Sequence, residues 1–375
     1  MNPATVLKVP GSITMAMSQT HSLPGRKVLT DGKERLYFSG TSYLGINHQP
    51  GYRALLQEGI ARYGGNYSSS RSSNLQLAVY EEAENFMADW LGTEAVLTFS
   101  SGFQAGQALM NALPRDARYI FAPQSHPAVW QTEQQVWQGD FPSWVLSLPA
   151  QIASACAQEI IIVTNSLDPL FARAYQFSWL ADLPRDQKIH VVVDDSHGLG
   201  VLGENGEGII SELIKHVPAH VQLSIVGSIG KALGIPGGMV AGSRSLIRQL
   251  RKSPYFTAAS PIAPAYLYAF LHAQQLYQRA RKQLRNRVRQ FQQAVRDTHL
   301  FSHFGDYPVF YTARHELNEM LADDFVFSSF PYPDPDSEPL TRVVLSALHT
   351  EADIDRLAAA VRHFAESTHF SLKDK

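Results

Sequence analysis

The stretch LSIVGSIGKALGIPGG, residues 223–238, runs from an apolar, β-branched segment into a loop of glycine, serine and alanine, and sets one lysine, Lys231, at the junction. Burying a lone charge is costly unless it is paired or neutralised. An ammonium carried out of a strand and ringed by the smallest side chains is therefore either a surface loop lysine or a group held where a ligand needs it. The run ahead of it is short enough for a strand buried on both faces. YIFA (119–122), WVLSL (144–148), EIIIVT (159–164) and HVVVDD (190–195) are runs of the same kind, each read as a strand and separated by helical or polar segments. Several such strands with helices between them predict a parallel sheet covered on both faces.

The flanking segments extend that pattern. KERLYFSG (33–40) reads as a strand, and QPGYRALLQEGIARYGG (49–65) and LAVYEEAENFMADWLG (77–92) read as helices that end in glycine. AVLTF (95–99) reads as a strand followed by a helix from Phe103 to Leu113. From about Pro261 a single long helix is expected, AYLYAFLHAQQLYQRARKQLRNRVRQFQQAVRD, then short strands, a proline-rich turn at FPYPDPDSEP (330–339), the strand TRVVLSAL and a last helix, ADIDRLAAAVRHFAES. The expected division is an N-terminal segment (1–45), a large α/β domain (46–258) and a smaller α+β domain (259–375). No internal repeat or low-complexity segment interrupts it.

Composition narrows the function. The chain has 375 residues, 45% of them hydrophobic and 18% charged, as in ordinary globular enzymes. A net charge of −2 argues against a nucleic-acid partner, which calls for a basic surplus. One cysteine, Cys156, excludes an intramolecular disulfide and fits a reducing, cytoplasmic compartment. The first residues lack the basic start and unbroken apolar core of a signal peptide. No apolar run approaches the roughly 20 residues that cross a bilayer.

Three motifs compete for the centre of the chain. GLGVLG (198–203) has the glycine spacing of a dinucleotide site, but that pattern must open a helix, and here it runs on into ENGEG, which is turn chemistry. GSIGKA has too short a glycine spacing for a nucleoside-triphosphate loop and follows the acidic strand instead of preceding it. The third reading joins the pieces. AVLTFSSGFQAG is a strand, a tight turn and a helix start, whose free N–H groups and dipole suit a phosphate. HVVVDDSHG ends a strand with Asp194 and His197 three residues apart, and LSIVGSIGK ends another with Lys231. Ligands of open parallel sheets sit at the carboxyl ends of the strands. A phosphate cup, a carboxylate and a lysine converging there match a cofactor with a phosphate, a ring nitrogen and an aldehyde, which is pyridoxal 5′-phosphate. No metal site is indicated.

The chain resembles the α-oxoamine synthases, fold-type-I pyridoxal-phosphate enzymes of the aspartate aminotransferase-like fold. The likeness rests on TSYLG, MADWLGTEAVLTFSSGFQAGQALMNAL, SHPAVW, VVVDDSHGLGVLGENGEG, SIGKALGIPGG and TRVVLSALHTEADIDRL, spread from about residue 30 to 360. The resemblance implies that Lys231 is the Schiff-base lysine, that Asp194 pairs with the pyridine nitrogen, that His197 bonds the phenolic oxygen and that His126 stacks on the ring. It implies a phosphate held by Ser101, Gly102, Phe103 and Ser228, with Thr257 in YFTAASP lent to the partner's site in a homodimer. NYSSSRSSN (66–74), with Arg71, is similar to the family's interface loop.

The departures lie on the substrate side. Thr-Ser-Tyr-Leu-Gly stands where the family has Asn-Asp-Tyr-Leu-Gly. Asn165 in TNSLDPLFARAY stands in place of a glutamate, and FSSFPYP replaces an arginine-bearing segment that grips the amino-acid carboxylate. Arg342 matches the arginine of the following strand and, with Arg71 next in line, is the expected carboxylate partner. The implied reaction joins a small amino acid to an acyl thioester, on CoA or a carrier protein, with loss of carbon dioxide, to give an α-amino ketone. Transamination on the same cofactor, or a non-catalytic binding homologue, are the alternatives.

Overall fold

The computed structural model describes residues 19–131, 137, 139–155, 158–332 and 336–371. Cys156 and part of the proline-rich turn lie outside them. The chain forms two compact units, one of residues 44–169 and 173–281, the other of residues 282 onward with the segments before 44 and at 170–172.

The larger unit is built on a six-stranded sheet. Its strands are β1 (Ala95–Phe99), β2 (Arg118–Phe121), β3 (Glu159–Asn165), β4 (Lys188–Asp194), β5 (Gln222–Ser228) and β6 (Gly238–Gly242), in the spatial order β1-β6-β5-β4-β3-β2. The neighbours β2 and β3, β3 and β4, and β4 and β5 are parallel. Strand β6 is antiparallel to both β5 and β1, so β1 runs the same way as β5. The sheet is thus parallel except for one inserted strand. Ile160–Val163 and Val191–Val193 are buried throughout, which is why they read as unbroken apolar runs. Helices α1 (Pro50–Tyr63), α2 (Ala78–Leu91) and α3 (Gly102–Ala112) belong to this unit, and α3 lays Ala105, Leu109 and Met110 into the core with Leu97, Val226 and Val240.

Three expectations are corrected. WVLSL is not a strand; it lies in a helix from Phe141 to Ala153, started by Asp140, whose side chain accepts from Ser143 N at 2.8 Å. Phe141, Trp144, Leu148 and Ile152 are buried at helical spacing, so the apolar run is one face of a helix. The single long helix is two, Pro264–His272 and Gln274–Val295, parted at Ala273. The first of these packs on α1 and α2, so residues 259–281 belong with the larger unit and the packing boundary falls at 281 instead of 258.

In the smaller unit the N-terminal residues are not a separate segment. Lys27–Thr30 and Lys33–Phe38 join Phe325–Pro331, Pro339–Val344 and Val309–Thr312 in one five-stranded sheet. Leu36 pairs with Phe325 in parallel, Phe38 stacks on His349 with ring centroids 4.1 Å apart, and Arg26 is ion-paired with Asp353.

Candidate active site

Because β1, β3, β4 and β5 all point the same way, their last residues share one edge of the sheet with the first residue of β6. Gly238 stands opposite both Phe99 and Ser228. This register brings the turn after β1 against the end of β5. A Cβ on Gly102 would lie 2.6 Å from Ser228 Cβ, and one on Gly238 would lie 2.4 Å from the Ser101 carbonyl oxygen. Only glycine allows backbones to approach so closely. Ser101 caps α3 by accepting from Gln104 N at 3.0 Å. The amides of Gly102 and Phe103 remain as first-turn donors without an intrahelical partner, at the positive end of the helix. Ser228 accepts from Gly230 N at 3.2 Å and leaves its hydroxyl hydrogen to donate. The cup is therefore a set of donors, as a phosphate requires. Phe103 turns its ring outward, 55% exposed, and contributes backbone only.

Lys231 follows β5 and is half-buried. Burial holds its ammonium below the ordinary lysine pKa, and the Asp194 carboxylate opposes that shift. Asp194 ends β4, is buried, and accepts from Ser196 N at 2.9 Å. His126 stands on the loop after β2, exposed as a residue but with its imidazole partly desolvated by the protein around it. Its pKa is also held down, by the surrounding protein first and by Lys231 second, while Asp194 pulls it up. Lys231, Asp194 and His126 therefore stand near enough for each to act on the others' charge. His126 Nδ1 accepts from Ala128 N at 3.1 Å, which puts the proton of the neutral ring on Nε2. His197 is half-buried in the turn after Asp194. Thr257 ends a short helix, Pro254–Thr257, with its hydroxyl donating to the Ser253 carbonyl at 3.1 Å and its own carbonyl taken by Ser70.

Arg71 is corrected. It is 5% exposed and spends its guanidinium on Glu84, to which Nη2 donates at 3.0 Å, and on Thr98 Oγ at 3.2 Å. Tyr80 and Phe256 cover it at 4.4 and 5.0 Å. A guanidinium so used is architecture and is not offered to a substrate carboxylate. Arg342 lies in the smaller unit, where Nη2 donates to Ser328 Oγ at 3.2 Å and the guanidinium sits 5.2 Å from the Phe330 ring centre.

Two further residues belong to this edge. Asn165, opposite Asp194 in register, is buried and donates to the Gln124 carbonyl at 2.8 Å. Asp195 is fully buried; desolvation raises its carboxyl to about 7, and Ile209 N donates to Oδ2 at 2.8 Å. A Cβ on Gly198 or Gly208 would fall 2.1 or 1.9 Å from its oxygens. Gly198, which opens the dinucleotide-like motif, and Gly208 beyond it thus make room for a carboxyl group. The second aspartate of DDSHG was the available signal.

The donor set fits a cofactor that carries a phosphate, a basic ring nitrogen and an aldehyde. The cup supplies N–H and O–H donors, Asp194 a buried carboxylate, and Lys231 an amine whose proton is loosely held. Comparison with known proteins agrees. The chain is 28% identical over 356 residues to the 8-amino-7-oxononanoate synthase of Aeromonas hydrophila subsp. hydrophila, covering 91% of this chain and 89% of that one. Among solved structures, Sphingomonas wittichii serine palmitoyltransferase superposes with a TM-score of 0.81 at 18% identity, over 96% of this chain and 94% of its own. The serine palmitoyltransferase of S. paucimobilis with bound PLP–myriocin aldimine gives 0.81 at 16% identity, over 96% and 95%. Residues 66–361 match the model for aminotransferase class I and II, and the chain belongs to that family.

Proposed function

We propose that the protein is a pyridoxal-phosphate-dependent acyltransferase that condenses an acyl thioester with a small amino acid, with decarboxylation, to an α-amino ketone. The observation that carries the reading is that Asp194, the donors of the Ser101–Phe103 turn and the strand end leading to Lys231 share one edge of the sheet, in a chain matched nearly end to end by an 8-amino-7-oxononanoate synthase.

When bound, pyridoxal phosphate supplies an electron sink for negative charge at the amino-acid α-carbon. The residues do the rest. Gly102 and Phe103 amides and the Ser228 hydroxyl would hold the phosphate, and Lys231 would hold the aldehyde carbon. Asp194, fixed by Ser196 N, would keep a proton on the ring nitrogen, because a carboxylate favours a neighbouring cation. Burial lowers the pKa of Lys231 and so favours its neutral amine, the group that would accept the α-proton. His126 presents a neutral face to the crevice, because its pKa is depressed. His197 would bond the phenolic oxygen.

The same reading makes the enzyme a cytoplasmic homodimer whose sites are completed by Thr257 of the second copy, and makes Arg342 the partner of the amino-acid carboxylate. Among the described residues no helix is long and apolar enough to cross a membrane. The test is product analysis with an amino acid alone and with acyl-CoA added. Carbon dioxide and an α-amino ketone formed only in the presence of the thioester are expected; an α-keto acid from the amino acid alone would replace condensation with transamination. Arg342→Met should raise the amino-acid KM by tens-fold if that arginine holds the carboxylate.

A further inference from the structure

The loop that carries His126 is held by more bonds than its length demands. Gln124 sits in the left-handed region, φ 56°, a conformation unfavourable to a non-glycine residue. Such an outlier persists only where its surroundings over-determine it. Here they do so from two sides. From the end of β3, Asn165 Nδ2 donates to the Gln124 carbonyl at 2.8 Å. From α3, Gln107 Nε2 donates to the carbonyls of Trp130 at 2.7 Å and Ala128 at 3.1 Å. Inside the loop, Trp130 Nε1 donates to Ser125 Oγ at 3.0 Å, and Ala128 N donates to His126 Nδ1 at 3.1 Å. The two clamps hold the span from Gln124 to Trp130 at its two ends with His126 between them, and the Ala128 amide fixes the rotation of its ring. Helix α3 presses close enough that a Cβ on Gly106 would lie 2.3 Å from the Ala128 oxygen.

Both clamps are rooted in elements that also build the cofactor site. Helix α3 begins with the phosphate cup, and Asn165 is the neighbour of Asp194 across β3 and β4. We propose that Asn165 and Gln107 are positioning residues that hold the His126 imidazole at the crevice, so that the ring's place is set by the same two elements that set the phosphate and the ring-nitrogen partner. An uncharged donor suits the Asn165 site: a carboxylate there would repel the Gln124 carbonyl and add a second negative charge beside Asp194. This inference rests on the pyridoxal-phosphate reading of the crevice, but not on the identity of the reaction.

The test is a double-mutant cycle on cofactor affinity together with the titration of His126 in the apoprotein, followed by NMR. Asn165→Leu and Gln107→Leu should each weaken pyridoxal phosphate binding roughly fivefold to tenfold, the worth of one lost positioning bond. In a His126→Ala background either change should cost less than twofold. The groups whose charge acts on the His126 ring are Asp194 and Lys231. With the clamp broken the ring gains water, and its titration should move up toward that of an ordinary histidine. Additive costs in the cycle, or an unmoved titration in folded variants, would overturn the proposal. Gln107 is only half-buried, so Gln107→Leu gives the same readings if Asn165→Leu fails to fold. Loss of cofactor binding in wild type itself would instead refute the cofactor reading.

Discussion

Two cations of the larger unit, one buried and one half-buried, are treated in opposite ways. Arg71 is enclosed and satisfied: Glu84 takes both Nη atoms, Thr98 adds a bond, and two aromatic rings close over it. Glu84 is saturated in turn by Thr98 N, Thr98 Oγ and Arg251. Lys231 is half-buried; its ammonium makes no hydrogen bond or ion pair among the described residues and has the field of Asp194 to hold its proton. A cation with all its donors used stiffens the fold. One that is desolvated and left short of partners is poised to lose a proton or to react. The carboxylate of Glu84 is bound up in the fold, and that of Asp194 is the one proposed to serve the cofactor.

That contrast can be broken at several points. Asp194→Asn should leave the fold intact and lower turnover about a hundredfold to a thousandfold, since an amide cannot stabilise a protonated ring nitrogen. Steady-state kinetics beside a melting curve checks it, and near-normal turnover would remove Asp194 from the site. Glu84→Gln should do the reverse. It strands a buried guanidinium and should cost on the order of 3–5 kcal/mol of stability, read by denaturant unfolding of the apoprotein. A variant as stable as wild type would mean that the Arg71 cluster is not a support.

A smaller effect is expected at Asp195. Unfolded, its carboxyl ionises near pH 4; folded, burial keeps it protonated up to about 7. A group with a raised folded pKa gives stability that is full below the unfolded value and lost as pH rises through the folded one. Wild-type stability should therefore fall between about pH 4 and 7 on this account. Asp195→Asn should not share that fall, and should gain up to a few kcal/mol over wild type by pH 8. Parallel stability–pH curves for the two proteins would contradict it.

Much of this was legible in the sequence, for identifiable reasons. Strands buried on both faces need unbroken β-branched runs, so β3, β4 and β5 were found directly. Strand β6 was missed because GMVAG carries too little side chain to be told from a glycine loop; its glycine serves the approach of Ser101 and Gly102. WVLSL was misread because a short apolar run has no period of its own, and the helix shows only when Asp140, Phe141 and Ile152 are included. Lys231, Asp194 and His126 could be proposed together from sequence because each stands at or after the end of a strand. Arg71 could not, because its partner Thr98 comes from a strand beyond the next helix, and no local pattern reports that bond. The clamp on His126 is of the same non-local kind, made by side chains 20 to 41 residues from the loop atoms they hold.

The account stands most directly on Lys231. Purified protein incubated with pyridoxal phosphate, reduced with borohydride, digested and mapped by mass spectrometry should carry the cofactor on the peptide containing Lys231, and Lys231→Ala should carry none there while melting as wild type does. Cofactor fixed to another lysine, or an unchanged visible absorbance in the folded Lys231→Ala variant, would contradict it.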